Sequence, residues 1–429
     1  MVLLMIKKKS ATTKDYSLLL KMIDMGKIFF LKQFALSVFY RTFMLLMRLF
    51  PLKDKVVAST MRGRKFSDNP RFIIEALHQQ RPDLDIVWFS DDRWPQDIPS
   101  WVRVVPYYGF KKLKRFYELA TAKVWIYSHL YEHYLTKQDN QFFIQTFHAS
   151  IPIKKVYLDM NHDMEQYKKT LQYKELINTS KIADVFISNS TFYEKVYRDG
   201  FAYCGPVIKT GFPRNDELIN GKHDYRIMVR KELNLSGKNI FLYVPTFRDE
   251  FERTHHIDYR VYDLDFTGIH DTLTEKFGGE WIILVKFHPI MQIYIKDYQP
   301  FNLPFVKDVT SYINIQALVS ASDFVVTDYS STVCDALIAG IPGLTIALDY
   351  EQYKEERNFY FDLQELPFPF AKSNEELINN IKNFDQHDYT SKCEAFKERI
   401  GLCETGHASK DVAEKICVFL DKGRVDWKE

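Results

Sequence analysis

The stretch FVVTDYSSTVCDALIAGIP at residues 324–342 decides the fold class of the chain. An apolar strand sequence runs into a tight turn of carboxyl and hydroxyl residues, and a helical pattern follows that Gly340 and Pro342 end. A buried strand that leads directly into a helix is the unit from which parallel sheets with covering helices are built. The stretch therefore predicts an α/β fold.

The same alternation of strand and helix patterns extends in both directions from this stretch. β-rich runs of a first half are VVAST (56–60), DIVWFS (85–90), RVVPYY (103–108), KVWIYS (123–128), FFIQTFH (142–148), DVFISNS (184–190) and PVIKTG (206–211). Those of a second half are NIFLYVPTF (239–247), WIILVKFHP (281–289), FVVTDYS (324–330) and GLTIAL (343–348). Two consecutive doubly wound halves place the carboxyl ends of both sheets around one cleft, where ligands bind. We predict Rossmann-like domains over 56–230 and 231–429, after a basic segment over 1–55.

Composition excludes several classes of protein. With 429 residues, 46% of them apolar, the chain is neither disordered nor a small disulfide scaffold. A net charge of +2 excludes a generally basic coat for nucleic acid, so we expect no nucleic-acid partner. Five cysteines without a CxxC pair indicate a reducing cytosol. The opening MVLLMIKKKS has too short an apolar run for a secretory signal, and we expect no cleavage.

Residues 1–55 are strongly basic, with eleven Lys or Arg against three Asp, a net charge of +8. Within them, residues 28–50 are aromatic and aliphatic but are interrupted by Lys32, Arg41 and Arg48. A charge such as Arg41 at the centre of a spanning helix would cost on the order of 3 kcal/mol. We expect a helix that lies in the headgroup plane of an anionic leaflet. A helix buried on the first domain and a spanning helix are the alternatives.

The turn within residues 324–342 suits an anion. The hydroxyls of Ser330, Ser331 and Thr332 can cap the helix, while its first amides and positive dipole end face the carboxyl edge of the sheet. A phosphate group fits such a helix end. The alternative is that these hydroxyls only cap the helix.

Two other strand ends deliver cationic or hydrogen-bonding side chains to the same predicted rim. The sequences FLYVPTFRDE and ILVKFHP supply Thr246, Arg248, Lys286 and His288. Arg and Lys neutralise phosphate oxygens, and a histidine can donate a hydrogen bond to one. A lone His before Pro is more often a structural hydrogen-bond partner, but the convergence on the turn at 324–342 favours a phosphate site.

In the first half, His148 ends the strand of the sequence IQTFHAS. An imidazole near neutral pH can take a proton from an attacking hydroxyl, so His148 is the candidate general base. A satisfied core histidine is the competing interpretation.

Together these motifs resemble the CDP-glycerol glycerophosphotransferases that build teichoic acids and related capsule polymers. The matching words run in order over residues 67–362: SDNPRFIIEAL, QTFHASIPIKKVYLD, GFPRNDEL, LYVPTFRDE, VKFHP, VTDYSSTVCDALIAGIP and RNFYFD. The resemblance implies a GT-B-like transferase with His148 as the base on the acceptor side and His288 in contact with donor phosphate. With the strand-end rim, the predicted donor-binding residues are Arg248, Thr246, Lys286, Thr327, Asp328, Ser330, Ser331, Thr332 and Arg357. The family favours Gly where this chain has Ala149 and Asn358, which leaves the donor less certain than the reaction type.

The implied reaction transfers glycerol phosphate from CDP-glycerol to a hydroxyl group and releases CMP. CDP-ribitol is the alternative donor. Two other hypotheses for the function are a non-catalytic scaffold of the same fold and a UDP-sugar glycosyltransferase.

The implied acceptor is a lipid-linked saccharide or polyol phosphate at the cytoplasmic face of an anionic membrane, where the enzyme is peripheral. We expect no cofactor and no metal, and we discount Asp263 and Asp265 as a metal-binding DxD pair because no strand precedes them. Whether one unit or many are added, whether the polymer is wall teichoic acid or capsule, and the oligomeric state are open at this stage.

Overall fold

The computed structural model describes residues 34–94, 96–109, 113–160, 163–248, 258–288, 291, 298–356 and 358–424. These residues contain two parallel β-sheets with helices on both faces. The α/β fold with two Rossmann-like domains is therefore confirmed.

Among the described residues, the first sheet has seven strands in the order β3-β2-β1-β4-β5-β6-β7. They are β1 (Lys53–Ser59), β2 (Asp85–Ser90), β3 (Arg103–Pro106), β4 (Ala122–Tyr127), β5 (Phe142–Gln145), β6 (Val185–Ser188) and β7 (Val207–Lys209). All neighbouring pairs are parallel, and the order reverses between β1 and β4. Ligands bind at the carboxyl edge of such a reversal.

In the part of the second domain that the structure describes, the second sheet has six strands in the order β10-β9-β8-β11-β12-β13, again all parallel. They are β8 (Asn239–Tyr243), β9 (Trp281–Val285), β10 (Val306–Asp308), β11 (Phe324–Thr327), β12 (Gly343–Ile346) and β13 (Phe370–Ala371). The order reverses between β8 and β11, so the predicted phosphate turn after β11 lies at the reversal of this sheet.

The α-helices are numbered in chain order. They are α1 (34–47), α2 (Asp68–Gln80), α3 (Leu113–Thr121), α4 (Met164–Tyr167), α5 (Leu171–Ile182), α6 (Thr191–Gly200), α7 (Asp216–Asn220), α8 (Lys222–Glu232), α9 (Phe266–Phe277), α10 (Ile315–Ala321), α11 (Thr332–Ala339), α12 (Tyr350–Glu356), α13 (Asn374–Lys382), α14 (Gln386–Ile400) and α15 (Ala408–Lys422).

Both faces of each sheet are buried, which explains why the strands are continuous apolar runs. In β4, Val124 and Ile126 pack into the core on one face of the first sheet, while Trp125 and Tyr127 pack into the core on the other. Alternate side chains of a strand point to opposite faces. A parallel sheet covered by helices on both sides therefore needs apolar residues at every position.

The last helix crosses back to the first domain. α15 packs against α2, and its Val412, Ile416 and Phe419 belong to the core of the first sheet. By contrast, Val229 of α8 belongs to a core of the second sheet. The structure thus differs from the predicted division into 56–230 and 231–429. Helix α8 begins before the predicted boundary but packs on the second sheet, and helix α15 lies after it but packs on the first domain.

Helix α1 has one packed face and one exposed apolar face. Met44 is fully buried, and Tyr40 stacks on Phe116 of α3 with ring centroids 5.4 Å apart. Arg48, which follows the helix, donates to the Thr136 hydroxyl at 2.7 Å. Lys32 lies outside the described residues. None of the described helices combines the length and apolar character needed to cross a bilayer.

Candidate functional site

The carboxyl ends of the two sheets meet at one cleft. His148 follows β5 of the first sheet, and the turn after β11 of the second sheet leads into α11. Arg214 bridges them, with one nitrogen 2.8 Å from the His148 carbonyl and another 2.9 Å from Asp335 of α11. The predicted base and the predicted phosphate-binding helix therefore lie next to each other.

The His148 side chain is exposed to solvent, although neighbouring protein atoms partly desolvate its ring. Its Nδ1 lies 3.4 Å from the Ser128 carbonyl, which favours a proton on Nδ1 and leaves Nε2 as the acceptor. Desolvation of the charged ring lowers the pKa of His148; Asp68 and the Ser128 carbonyl oppose this shift, and Arg214 adds to it. A neutral imidazole with an open Nε2 is what a general base requires.

Side chains hold the backbone around His148 at five successive carbonyls. Asn69 donates to the carbonyls of residues 146 and 147, Arg214 to 148, Tyr193 to 149 and Asn189 to 150. Phe147, immediately before the histidine, has a left-handed φ of 51°. Such backbone persists where surrounding contacts fix it, and it is frequent at active sites. The loop at 146–150, named here the base loop, is thus preorganised.

Asp68 and Arg214 are site residues that the sequence reasoning did not single out. Asp68 opens α2 with a left-handed φ of 67°, and Arg214 Nε lies 3.8 Å from its carboxylate. Burial raises the pKa of Asp68, while Arg214 and His148 lower it. Both residues lie in sequence motifs that carry the family resemblance, SDNPRFIIEAL and GFPRNDEL, so the sequence did contain a sign of their importance. Their nearness to His148 depends on the fold.

Arg248 is bound on several sides by the second domain. Its Nε and Nη2 donate to the Asp349 carboxylate at 2.7 and 3.0 Å, and its Nη1 donates to Asp328 at 2.8 Å and the Thr246 carbonyl at 2.6 Å. Burial opposes the charged form, but the two carboxylates raise the pKa of Arg248 far above its ordinary value. These carboxylates pair with the guanidinium, so Arg248 joins the strand-end loops, and its predicted contact with donor phosphate stays a prediction.

Thr327 and Asp328 are buried connections between strands. The Thr327 hydroxyl donates to the Val244 carbonyl at 2.5 Å, and Asp328 accepts from the backbone amides of Thr246 and Tyr329 at 2.8 and 2.6 Å. Their exposed fractions are 0% and 2%. A carboxylate that faced a diphosphate would repel it, which gives a physical reason for this placement. The structure places both side chains in contacts between strand ends, and their predicted place beside the diphosphate stays a prediction.

The amino-terminal end of α11 keeps the groups that suit an anion. Ser331 is the N-cap and makes no capping hydrogen bond with its side chain. The Ser330 hydroxyl accepts from the Thr332 amide at 3.2 Å, and Ser330 and Ser331 are partly exposed. The Thr246 hydroxyl is buried without a hydrogen-bond partner among the described residues.

Lys286 follows β9 and faces a cation of the first domain. Its ammonium donates to the Thr310 and Tyr312 carbonyls at 3.1 and 2.5 Å. Burial, with a smaller contribution from the Lys65 ammonium, lowers the pKa of Lys286 to about 8. Lys65 lies in the loop after β1, so a second unpredicted residue brings positive charge to the cleft from the opposite domain.

The remaining predicted site residues are His288 and Arg357. His288 is exposed, with its ring centroid 5.4 Å from that of Phe247. Arg357 lies outside the described residues. The next residue, Asn358, accepts from the Lys155 amide at 2.9 Å, so this segment lies beside the chain that follows the base loop.

Of the two aspartates in the DxD sequence, Asp263 and Asp265, the second caps a helix. Asp265 is the N-cap of α9 and accepts from the Gly268 amide at 2.9 Å. Within the described part of the chain, no group of three or more His, Cys, Asp or Glu side chains could hold a metal ion.

Two facing Rossmann-like domains, with a histidine loop on one and a phosphate-type helix end on the other, define a GT-B-like α/β protein. Residues 41–418 match the model of the family CDP-Glycerol:Poly(glycerophosphate) glycerophosphotransferase, and the chain belongs to this family.

Curated relatives and solved structures agree with this family. The chain is 28% identical over 385 residues to a teichoic acid poly(glycerol phosphate) polymerase of Bacillus subtilis, covering 88% of this chain and 50% of the relative. It is 28% identical to a teichoic acid glycerol-phosphate transferase of Staphylococcus aureus, covering 88% of this chain and 96% of the relative. A histidine-to-asparagine variant of the wall teichoic acid polymerase TagF, soaked with CDPG, superimposes with a TM-score of 0.75 at 25% identity, covering 89% of this chain and 94% of that one. The chain thus spans half of one relative and nearly all of another.

Proposed function

We propose that the protein transfers glycerol phosphate from CDP-glycerol to a hydroxyl of an acceptor and releases CMP. Membership in the glycerophosphotransferase family supports this reaction. The observation that carries it is the contact of the base loop with α11 through Arg214 and Asp335. This contact supports the proposal because the base loop lies next to a helix end of the kind that suits a phosphate.

In the proposed reaction, Nε2 of His148 takes the proton of the acceptor hydroxyl. The hydroxyl oxygen forms a bond to the phosphorus that carries glycerol, and the bond from that phosphorus to the bridging oxygen of CMP breaks. CMP leaves with the electron pair, and the proton passes from His148 to solvent. Positioning and charge neutralisation supply most of the rate enhancement in phosphoryl transfer.

The donor phosphates would lie between the second-domain rim and α11. Lys286 and His288 supply positive charge or a donated hydrogen bond, and Ser330, Ser331 and Thr332 supply hydroxyls and first-turn amides. Arg248 acts through Asp328 and Asp349 by holding the rim in place. These roles need no cation at the diphosphate.

Ribitol phosphate is the alternative unit to be transferred. A teichoic acid ribitol-phosphate primase of Bacillus spizizenii is 26% identical to this chain over 403 residues, against 28% over 385 residues for the poly(glycerol phosphate) polymerase of Bacillus subtilis. Incubation of purified protein with CDP-glycerol, CDP-ribitol or UDP-sugars, each with a lipid-linked acceptor, separates the possibilities. We expect CMP from CDP-glycerol; CMP from CDP-ribitol alone would select the alternative, and UDP release would refute both.

We also propose that α1 holds the enzyme against an anionic, cytoplasmic membrane surface that carries the lipid-linked acceptor. Large apolar side chains cover its outer face and the turn after it: Phe34, Val38, Phe39, Leu45, Leu46, Leu49 and Phe50, with exposed fractions from 47% to 83%. This face lies opposite the docked residues Tyr40 and Met44. An exposed apolar face next to a basic segment is typical of a helix at a membrane interface.

A further inference from the structure

Arg214 joins the two domains at the base loop. It lies in the turn Pro213–Asn215, after β7. Its Nη1 donates to the His148 carbonyl at 2.8 Å, and its Nη2 donates to Asp335 Oδ2 at 2.9 Å. Its Nε lies 3.8 Å from Asp68 Oδ1. One side chain therefore contacts the backbone of the base, the carboxylate beside the base, and α11 of the other domain.

The backbone of Arg214 is also held from both domains. Its amide donates to Asn69 Oδ1 at 3.0 Å, and its carbonyl accepts from Gln316 Nε2 of α10 at 2.6 Å. Asp335 has a second link to the base loop, because the Ser150 hydroxyl donates to it at 2.5 Å. The geometry leaves little freedom for the base loop to move relative to α11.

The charges at this junction are buried. The side chains of Arg214, Asp335 and Asp68 are 11%, 4% and 8% exposed. Breaking a buried ion pair leaves an uncompensated charge. An unpaired Asp335 would place negative charge in the first turn of α11, where it would oppose binding of a phosphate.

We propose that Arg214 and Asp335 are positioning residues that set the placement of His148 relative to the donor phosphate. By pairing with Arg214, Asp335 also leaves the amino-terminal end of α11 attractive to an anion. This inference rests on the proposed function, because it assigns both residues to the same transfer reaction.

The kinetic test uses Arg214→Lys and Asp335→Asn. Lys keeps the charge, but its single ammonium cannot reach two acceptors as the guanidinium fork does. We expect kcat with CDP-glycerol to fall roughly 10- to 100-fold in each variant, since small misplacements of reacting groups cost that much. The KM for CDP-glycerol should change by less than about threefold, since neither side chain is placed on the donor and neither variant leaves an uncompensated carboxylate in α11: Lys keeps a positive charge beside Asp335, and Asn removes the negative charge.

A matched control is Arg226→Lys. It alters an ion pair away from the cleft, in which Arg226 Nη2 lies 2.6 Å from Asp323 Oδ1. Asp323 lies just before β11, at the opposite edge of the sheet from the cleft. This variant should retain the kcat of the parent. Circular dichroism and thermal melting of every variant exclude unfolding as the cause of a lost kcat.

The pH profile provides a readout that a structural role would not change. His148 is faced by Asp68, Arg214 and the Ser128 carbonyl, and the neighbouring His129 stays uncharged because burial lowers its pKa to about 3. Arg214 contributes to lowering the pKa of His148, so Arg214→Ala should move the acid limb of kcat to higher pH. Arg214→Lys keeps the charge and should leave this limb near its parental position.

The outcomes separate the two proposals. Release of CMP by the parent, with unchanged kcat and unchanged acid limbs in the variants, would overturn the inference alone. A parent that binds but does not cleave CDP-glycerol would overturn the proposed function.

Discussion

At the scale of single residues, His148 is the group on which the proposed chemistry depends most. Replacing it by Ala removes the proton acceptor, so turnover should fall roughly 10²–10⁴-fold, the usual contribution of a general base. Rates of CMP release from CDP-glycerol under conditions where chemistry limits turnover measure this. His223→Ala, at an exposed position of α8, is the control and should turn over normally. Near-parental turnover of His148→Ala would remove it from the role of base.

If His148 is the base, Asp68 should influence the pH range of the reaction. Its carboxylate raises the pKa of His148 against the effect of burial, so Asp68→Asn should lower that pKa further. Because the base works when deprotonated, the acid limb of kcat should then move to lower pH. Asn tolerates the left-handed φ of 67° at this position, so folding should survive. An acid limb that stays in place would show that His148 does not control it.

The low pKa of Lys286 predicts that donor binding weakens at alkaline pH. With a pKa of about 8, its ammonium loses its charge as pH rises through 8, and the affinity for the anionic donor should weaken there. Lys65→Ala removes a like charge, so the pKa of Lys286 should rise and the alkaline limb of donor KM should shift to higher pH. Measuring donor KM from pH 7 to 10 in both proteins checks this; coincident limbs would show that the lysines do not interact.

The sequence predicts which residues form the site more easily than it predicts the hydrogen bonds and ion pairs that those residues make. His148 and the serines of α11 stand at strand ends that the sequence marks clearly. The burial of Thr327 and Asp328 could not be predicted, because a polar residue after a strand can turn to the ligand or to the next loop. Arg214 was missed because its partners lie 66 and 121 positions away in the chain.

At the scale of elements, α1 has one buried and one exposed apolar face. Leu45 is 48% exposed on the outer face, and Met44 is fully buried. Leu45→Glu should weaken flotation with anionic liposomes while leaving the melting temperature nearly unchanged. Met44→Glu should instead lower the melting temperature strongly, because it buries a charge against the first domain. Equal flotation of Leu45→Glu and the parent would mean that this face does not bind the membrane.

Strands were predictable wherever the apolar run was long enough. All eleven β-rich runs contain a strand, and the two that were missed, β10 and β13, have only three and two residues. Such short edge strands carry no periodicity of their own. They form because β9 and β12 offer a free edge at the right register.

At the scale of the whole molecule, α15 follows the second domain in the chain but packs against α2 of the first domain. Ile416 is fully buried in the core of the first sheet, whereas Val418 is 40% exposed. Ile416→Ala should destabilise the protein by about 2–5 kcal/mol, and Val418→Ala by no more than about 0.5 kcal/mol. Urea unfolding followed by fluorescence measures both. Similar values for the two variants would contradict the packing of α15 on the first domain.

The return of α15 has a consequence for synthesis on the ribosome. Domains generally fold as they emerge, amino-terminal part first. Here the core of the first domain lacks Val412, Ile416 and Phe419 until both sheets have been translated. The surface of α2 that α15 covers therefore stays open during synthesis of the second domain, and a nascent chain stalled before residue 408 would offer this surface to chaperones.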